Sequence, residues 1–278
     1  MRLHRRFGVH LHLVGSSPLP EFDPAWTTAS ADELKTIRRT VMAEARERGE
    51  VPLDAWSRIE RGLEVEKTLR TMRQAGMKVT YHSCDVASRG SVEETMSAIR
   101  ATGAPIEGVI HGAGVEAACR FDRKQAAMVR KTFAVKVDGA RHLADVLEHD
   151  PVRYFVGFGS TSGRFGGLGQ ADYSAASDAL AKFCNDLGRR RPDCRTIAVH
   201  WPPWDEVGMA ARPESKLALA AGGMGFMPPL EGAAFLLEEL LATNPEPEIL
   251  IIDKPDGLDL DKTLPDRAVW NDFAAAQD

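Results

Sequence analysis

Ser160 and Tyr173 stand thirteen positions apart in "GFGSTSGRFGGLGQADYSAAS", residues 157–177. The segment between them is rich in glycine, and "YSAASDALAKF" then reads as a helix. A serine at a strand end and a tyrosine at the next helix start would share one crevice mouth, with few side chains between them. A phenol is a weak acid at neutral pH, with a reference pKa of about 10. A cation held nearby lowers it and makes it a usable proton donor. "FAVKVDGARHL" supplies Lys136, in the helix that precedes the strand bearing Ser160. The three side chains together suggest proton transfer to an oxygen, in contrast to the ordinary roles of a turn serine and a solvated lysine.

The elements that must position them read as strands alternating with helices. Apolar, β-branched runs occur at "VHLHLV" (9–14), "KVTYHSCDV" (78–86), "IEGVIHGAGV" (106–115), "RYFVGFGS" (153–160), "RTIAVHWPPW" (195–204) and "EILIID" (248–253). Amphipathic stretches such as 121–149 and 172–190 separate them. This pattern predicts an α/β doubly wound, Rossmann-like parallel sheet, with its ligand crevice beyond the carboxyl ends of the strands. One region breaks the rhythm. Residues of about 28–76 are charged and helical, divided by Pro52, and predict a two-helix insertion too long for a simple connection. Residues 1–253 are expected to form the domain, and 254–278, acidic and rich in turn residues, a tail or linker.

Composition narrows the function classes. The chain has 278 residues, 44% hydrophobic and 27% charged, with a net charge of −5. That balance argues against a nucleic-acid or anionic-membrane binder, which needs a basic face. No apolar run reaches membrane-span length. Four cysteines without CxxC spacing suggest reduced thiols and a cytoplasmic setting. Eight histidines form neither HxxxH nor HExxH, so no metal site is expected.

"GFGSTSGRFGGLGQADYSAAS", "FAVKVDGARHL" and "IHGAG" together resemble the ketoreductase (KR) domains of polyketide and polyunsaturated fatty acid synthases, in the short-chain dehydrogenase/reductase superfamily. The resemblance runs from about Val9 to Asp253 and is most specific over 151–183. It implies that Tyr173 protonates a carbonyl oxygen as hydride arrives from NADPH. Ser160 would bind the same oxygen, and Lys136 would lower the phenol pKa and hold the nicotinamide ribose. Free-standing family members place the lysine four residues after the tyrosine, where this chain has Ser177. Synthase ketoreductases carry asparagine there, and the Ser177 hydroxyl would serve the same proton relay through water.

The resemblance also implies a cofactor site. His111, Gly112, Ala113 and Gly114 would pass under the adenine ribose and nicotinamide. Asp85 and Val86 would meet the adenine, and Ser16 and Ser17 would stand where the group holds the 2′-phosphate. "HWPPWDEVGMA" (200–210) resembles the segment leading into the substrate lid, with Pro202 for the usual glycine. Glu116-Ala117-Ala118 replace the "LDD" of one stereochemical class, and Phe165 replaces the tryptophan of the other. The implied substrate is a 3-ketoacyl chain on an acyl carrier protein, with other synthase domains as partners. The alternatives are a catalytically silent fragment of such a domain and a free-standing carbonyl reductase. No glycine-rich turn precedes the 9–14 strand, and "MRLHRRFG" reads as a helix end. The expected consequence is an open slot or an abnormal closure between the 9–14 and 106–111 strands, and weak or absent NADPH binding unless an upstream segment is restored.

Overall fold

The computed structural model describes residues 2–211, 213–221, 225–243 and 246–252. The predicted tail at 254–278 lies outside them. The chain divides into two compact units: one from the N-terminal region to Asp85 with Gly90–Ile99, the other from Val86–Arg89 and the chain from Arg100 onward.

The first unit opens with a short helix α1 (Arg2–Phe7) and strand β1 (Leu11–Gly15). The predicted insertion follows as two long helices, α2 (Ala31–Glu47) and α3 (Pro52–Gln74). Ser30 and Glu33 form a reciprocal capping box that starts α2. Pro52 starts α3, where its fixed φ suits the first helical position and its missing N–H costs nothing. Val41, Ala45, Ala55 and Trp56 form a core for this pair, with Trp26, Ile37, Met42 and Ile59 against it. Strand β2 (Val79–Ser83) then pairs parallel to β1, Leu11 opposite Val79. All but the end residues of α4 (Arg89–Arg100) complete the unit.

The second unit holds a four-stranded parallel sheet in the order β3-β4-β5-β6. Its strands are β3 (Gly108–His111), β4 (Tyr154–Ser160), β5 (Arg195–Trp201) and β6 (Glu248–Leu250). Between β3 and β4 run α5 (Ala126–Phe133) and α6 (Gly139–Val146), joined by one π-helical turn over Ala134–Asp138. A short α7 (Ser162–Phe165) and the long α8 (Ala171–Arg190) follow β4. Helices α9 (Pro213–Ala221) and α10 (Pro229–Leu241) lie between β5 and β6. Phe155, Val156, Ile197, Ala198 and Val199 are fully or almost fully buried, as are Leu180, Ala181 and Cys184 of α8, which packs on β4 and β5. These strands are near-continuous apolar runs, as a sheet covered on both faces requires.

All six predicted strands are present, each within its predicted window or one residue past it. They pair into two ladders. Among the described residues β1 has only β2 as a partner and β3 only β4.

Candidate active site

Lys136 occupies the π turn between α5 and α6 and is almost wholly buried. Turns of this kind widen a helix locally and recur at functional sites. His111, at the end of β3, donates from Nε2 to the Lys136 carbonyl at 2.9 Å. Burial holds that imidazole down to about 4, so it is neutral and its tautomer is fixed by this bond. The Lys136 ammonium donates to the Phe158 carbonyl of β4 at 3.0 Å. Burial draws its pKa down to about 8.

Tyr173, in the first turn of α8, lies beneath that ammonium: Nζ is 4.8 Å from the ring centroid. Ser160 ends β4, and its hydroxyl is within 2.9 Å of Ser162 Oγ and accepts the Ser162 N–H at 3.2 Å. The Ser160 side chain also bears on the Tyr173 phenol, favouring its ionised form. The three residues therefore converge on one place at the carboxyl ends of the strands. The electrostatics differ from the expectation that Lys136 lowers the phenol pKa. Burial raises it, Glu116 raises it further, and only Ser160 opposes them. The phenol is thus held protonated.

In the sequence Glu116 reads only as a departure from a stereochemical motif. Its role depends on how the 115–124 segment folds back over the start of α8. Cys119 N–H donates to the Gly169 carbonyl at 3.1 Å, and Gln170 Nε2 donates to Glu116 Oε1 at 3.4 Å. Lys124 closes the segment with an ion pair to Asp172 at 2.7 Å, both side chains nearly inaccessible to water. Lys124 also donates to the Ala117 carbonyl at 3.0 Å, and Thr132 donates to Asp172 Oδ2 at 3.2 Å. Burial alone would raise the Asp172 carboxyl; Lys124 and the Tyr173 backbone N–H bring it below its ordinary value. A sequence signal existed: Asp172 adjoins Tyr173, and a carboxylate suits a helix N-terminus.

Ser177, one turn after Tyr173, is completely buried, and its hydroxyl has no hydrogen-bond partner. Gly112 is exposed, while Ala113 and Gly114 are half-buried. Gly114 passes close to both residues: a Cβ there would stand 3.6 Å from Lys136 Nζ and 3.9 Å from Tyr173 Cε2. Val86 packs against Gly139, and its carbonyl accepts from His142 at 3.0 Å. The remaining predicted cofactor residues belong to the first unit. Ser16 is exposed beyond β1, the Ser17 carbonyl accepts from the Tyr81 hydroxyl at 2.6 Å, and the Asp85 N–H donates to Ser91 Oγ at 3.1 Å. In the same unit His12 Nδ1 and His82 Nε2 lie 3.0 Å apart. Among the described residues no group of three or more His, Cys, Asp or Glu is arranged to hold a metal, and no helix is long and apolar enough to cross a membrane.

The family model for the KR domain matches residues 35–206. The chain belongs to the KR domain family. Its KR sequence is 26% identical over 250 residues to a polyunsaturated fatty acid synthase polypeptide of a Thraustochytrium species, a match covering 86% of this chain and 9% of the relative. It is 31% identical over 159 residues to the polyketide synthase PksN of Bacillus subtilis, covering 55% of this chain and 3% of that one. This KR chain therefore spans less than a tenth of the length of these curated relatives. Among solved structures, a ketoreductase domain from the bacillaene assembly line matches with a TM-score of 0.62 and 27% identity, over 72% of this chain and 48% of that one. A short-chain dehydrogenase from Streptomyces avermitilis shares the fold, with a TM-score of 0.63 at 17% identity, over 77% of this chain and 86% of that one. The KR chain is thus an α/β, Rossmann-like member of an oxidoreductase family.

Proposed function

We propose that this KR chain carries out NADPH-dependent reduction of a 3-ketoacyl thioester, borne on an acyl carrier protein, to the 3-hydroxyacyl thioester. The observation that carries this reading is the cluster of Ser160, Tyr173 and Lys136, with the ammonium over the phenol ring. Bound NADPH supplies the hydride. Ser160 Oγ orients the carbonyl oxygen by a hydrogen bond, and Tyr173 gives its proton to that oxygen as negative charge develops there. An alkoxide is a far stronger base than a phenolate, so a phenol held protonated by its surroundings still transfers downhill. Lys136 stabilises the resulting phenolate. Its depressed pKa lets it take up and release a proton near neutral pH.

The side-chain-free backbone at Gly114, running past Lys136 and Tyr173, suits a flat ring laid against it and supports a nicotinamide there. His111, Gly112, Ala113 and Gly114 would line that end of the cofactor. Asp85, Val86, Ser16 and Ser17 would serve the adenosine end, by resemblance to the family. Ser177 would complete the relay from Tyr173. Its unpartnered buried hydroxyl also favours a second reading, a KR domain with a weakened relay. The test is an assay of a 3-ketoacyl thioester with NADPH, beside a fluorescence titration of the cofactor. Turnover lost in Tyr173→Phe is the expected result. Saturable NADPH binding without turnover would favour the second reading, and turnover unchanged by Tyr173→Phe would rule out the proposed mechanism.

A further inference from the structure

We propose that His200 is a positioning residue for Ser160, holding the turn that carries the serine through the contact of its Nδ1 with the Ser160 carbonyl. The inference rests on the reading of Ser160 as the residue that orients the carbonyl. His200 lies on β5 next to Trp201 and exposes none of its surface. Its Nδ1 is 2.9 Å from the Ser160 carbonyl oxygen, and its Nε2 is 2.7 Å from Glu248 Oε1. The ring thus bridges two strands that do not adjoin each other, β4 and β6.

Two features make the ring a rigid support. Gly159 leaves room for it, since a Cβ there would stand 2.8 Å from His200 Nδ1 and 3.2 Å from Cε1. Any other residue at 159 would push the ring off the Ser160 carbonyl or be pushed off itself. Glu248 is held in turn by the Arg164 guanidinium of α7, by Asn185 Nδ2 of α8 at 3.2 Å and by Lys182 Nζ of α8 at 3.6 Å. Glu248 is thus an acceptor surrounded by donors. Strand β3 stops opposite Gly157, so it does not flank Ser160 and leaves that turn to β5 and His200.

Both partners of the imidazole accept hydrogen bonds, and a neutral imidazole has one N–H. The bonds to Ser160 and Glu248 therefore compete for it, and two substitutions separate them. His200→Asn puts an amide nitrogen near the Nδ1 position and keeps the donor to Ser160. His200→Gln reaches the Nε2 position and keeps the link to Glu248 alone. With a 3-ketoacyl thioester and NADPH, His200→Asn should keep kcat within about threefold. His200→Gln should lower it by roughly tenfold to a hundredfold, the scale of a misplaced reacting group, with the KM for NADPH unchanged. Ser160→Ala is measured alongside. If it loses turnover while the Asn and Gln variants behave alike, or Gln outperforms Asn, the positioning role is overturned and the catalytic reading stands. If Ser160→Ala keeps full turnover, both fall. Glu248→Gln covers the case in which a His200 variant does not fold. It leaves the Nδ1 bond intact and should keep kcat within about threefold. A tenfold loss there would assign the effect to the sheet edge and overturn the proposal.

Discussion

The Lys136 ammonium stands over the face of the Tyr173 ring, 4.8 Å from its centroid, while donating to the Phe158 carbonyl at 3.0 Å. It is thus held between the strand that ends in Ser160 and the helix whose first turn holds Tyr173. A cation over the ring face favours a phenolate at the moment it forms, and burial keeps that cation close to losing its own proton.

Replacing Tyr173 with phenylalanine removes the hydroxyl and leaves the ring under Lys136. Turnover of a 3-ketoacyl thioester should fall by roughly 10²–10⁴-fold, the usual worth of a general acid. Circular dichroism and thermal unfolding of Tyr173→Phe should match the parent within a few degrees.

Stability should carry a mark of Lys136. Its pKa is lowered from 10.5 to about 8 by burial. Below about pH 8 both folded and unfolded chains hold the proton, and the cost of burying the ammonium is present in full. Between about pH 8 and pH 10 the unfolded chain holds it and the folded chain does not, so stability rises with pH. Chemical denaturation at intervals across that window should show the rise, and Lys136→Met should remove this contribution to the slope.

The Lys124–Asp172 pair is closed off from water. Breaking such a pair by removing one partner leaves an uncompensated buried charge, at a cost of about 3–5 kcal/mol. Lys124→Met should lose that much in urea unfolding. Lys124→Met combined with Asp172→Asn should recover most of it, because no buried charge remains.

Thiol reactivity should be confined to one position. Cys84, Cys184 and Cys194 are buried, and burial pushes Cys184 up to about 12, whereas Cys119 is partly accessible. An aromatic disulfide reagent should label one thiol quickly in the native protein. Cys119→Ser should abolish that phase, and a fast phase persisting in this variant would contradict the packing described.

Much of the architecture was legible because each strand is a compact apolar run and the helix boundaries carry strong local chemistry. Pro52, read as the divide between two helical stretches, stands at the start of α3. Ser160 and Tyr173 were legible because their spacing spans one strand-to-helix turn. The π turn under Lys136 was not, since 126–146 has the amphipathic pattern of one uninterrupted helix. The division into two ladders depends on pairing between strands far apart in the chain, which no local pattern encodes. Glu116, Lys124 and His200 are silent in the sequence because each acts through a partner more than 40 residues away, or brought close only by loop packing.

The π turn over Ala134–Asp138 has a consequence for chain length. A π turn holds about one more residue than the α turn it replaces, and each α-helical residue advances about 100° around the axis. Deleting one residue here would let α5 and α6 fuse into a regular helix at little local cost. The parts of α5 and α6 on either side would keep nearly their present bearings, because the bulge absorbs the extra residue. Lys136, inside the turn, would lose the widened backbone from which its ammonium now reaches Phe158 and the Tyr173 ring. This segment is thus intolerant of losing a residue, a frame-like constraint that lies in the count of residues as well as in their identity.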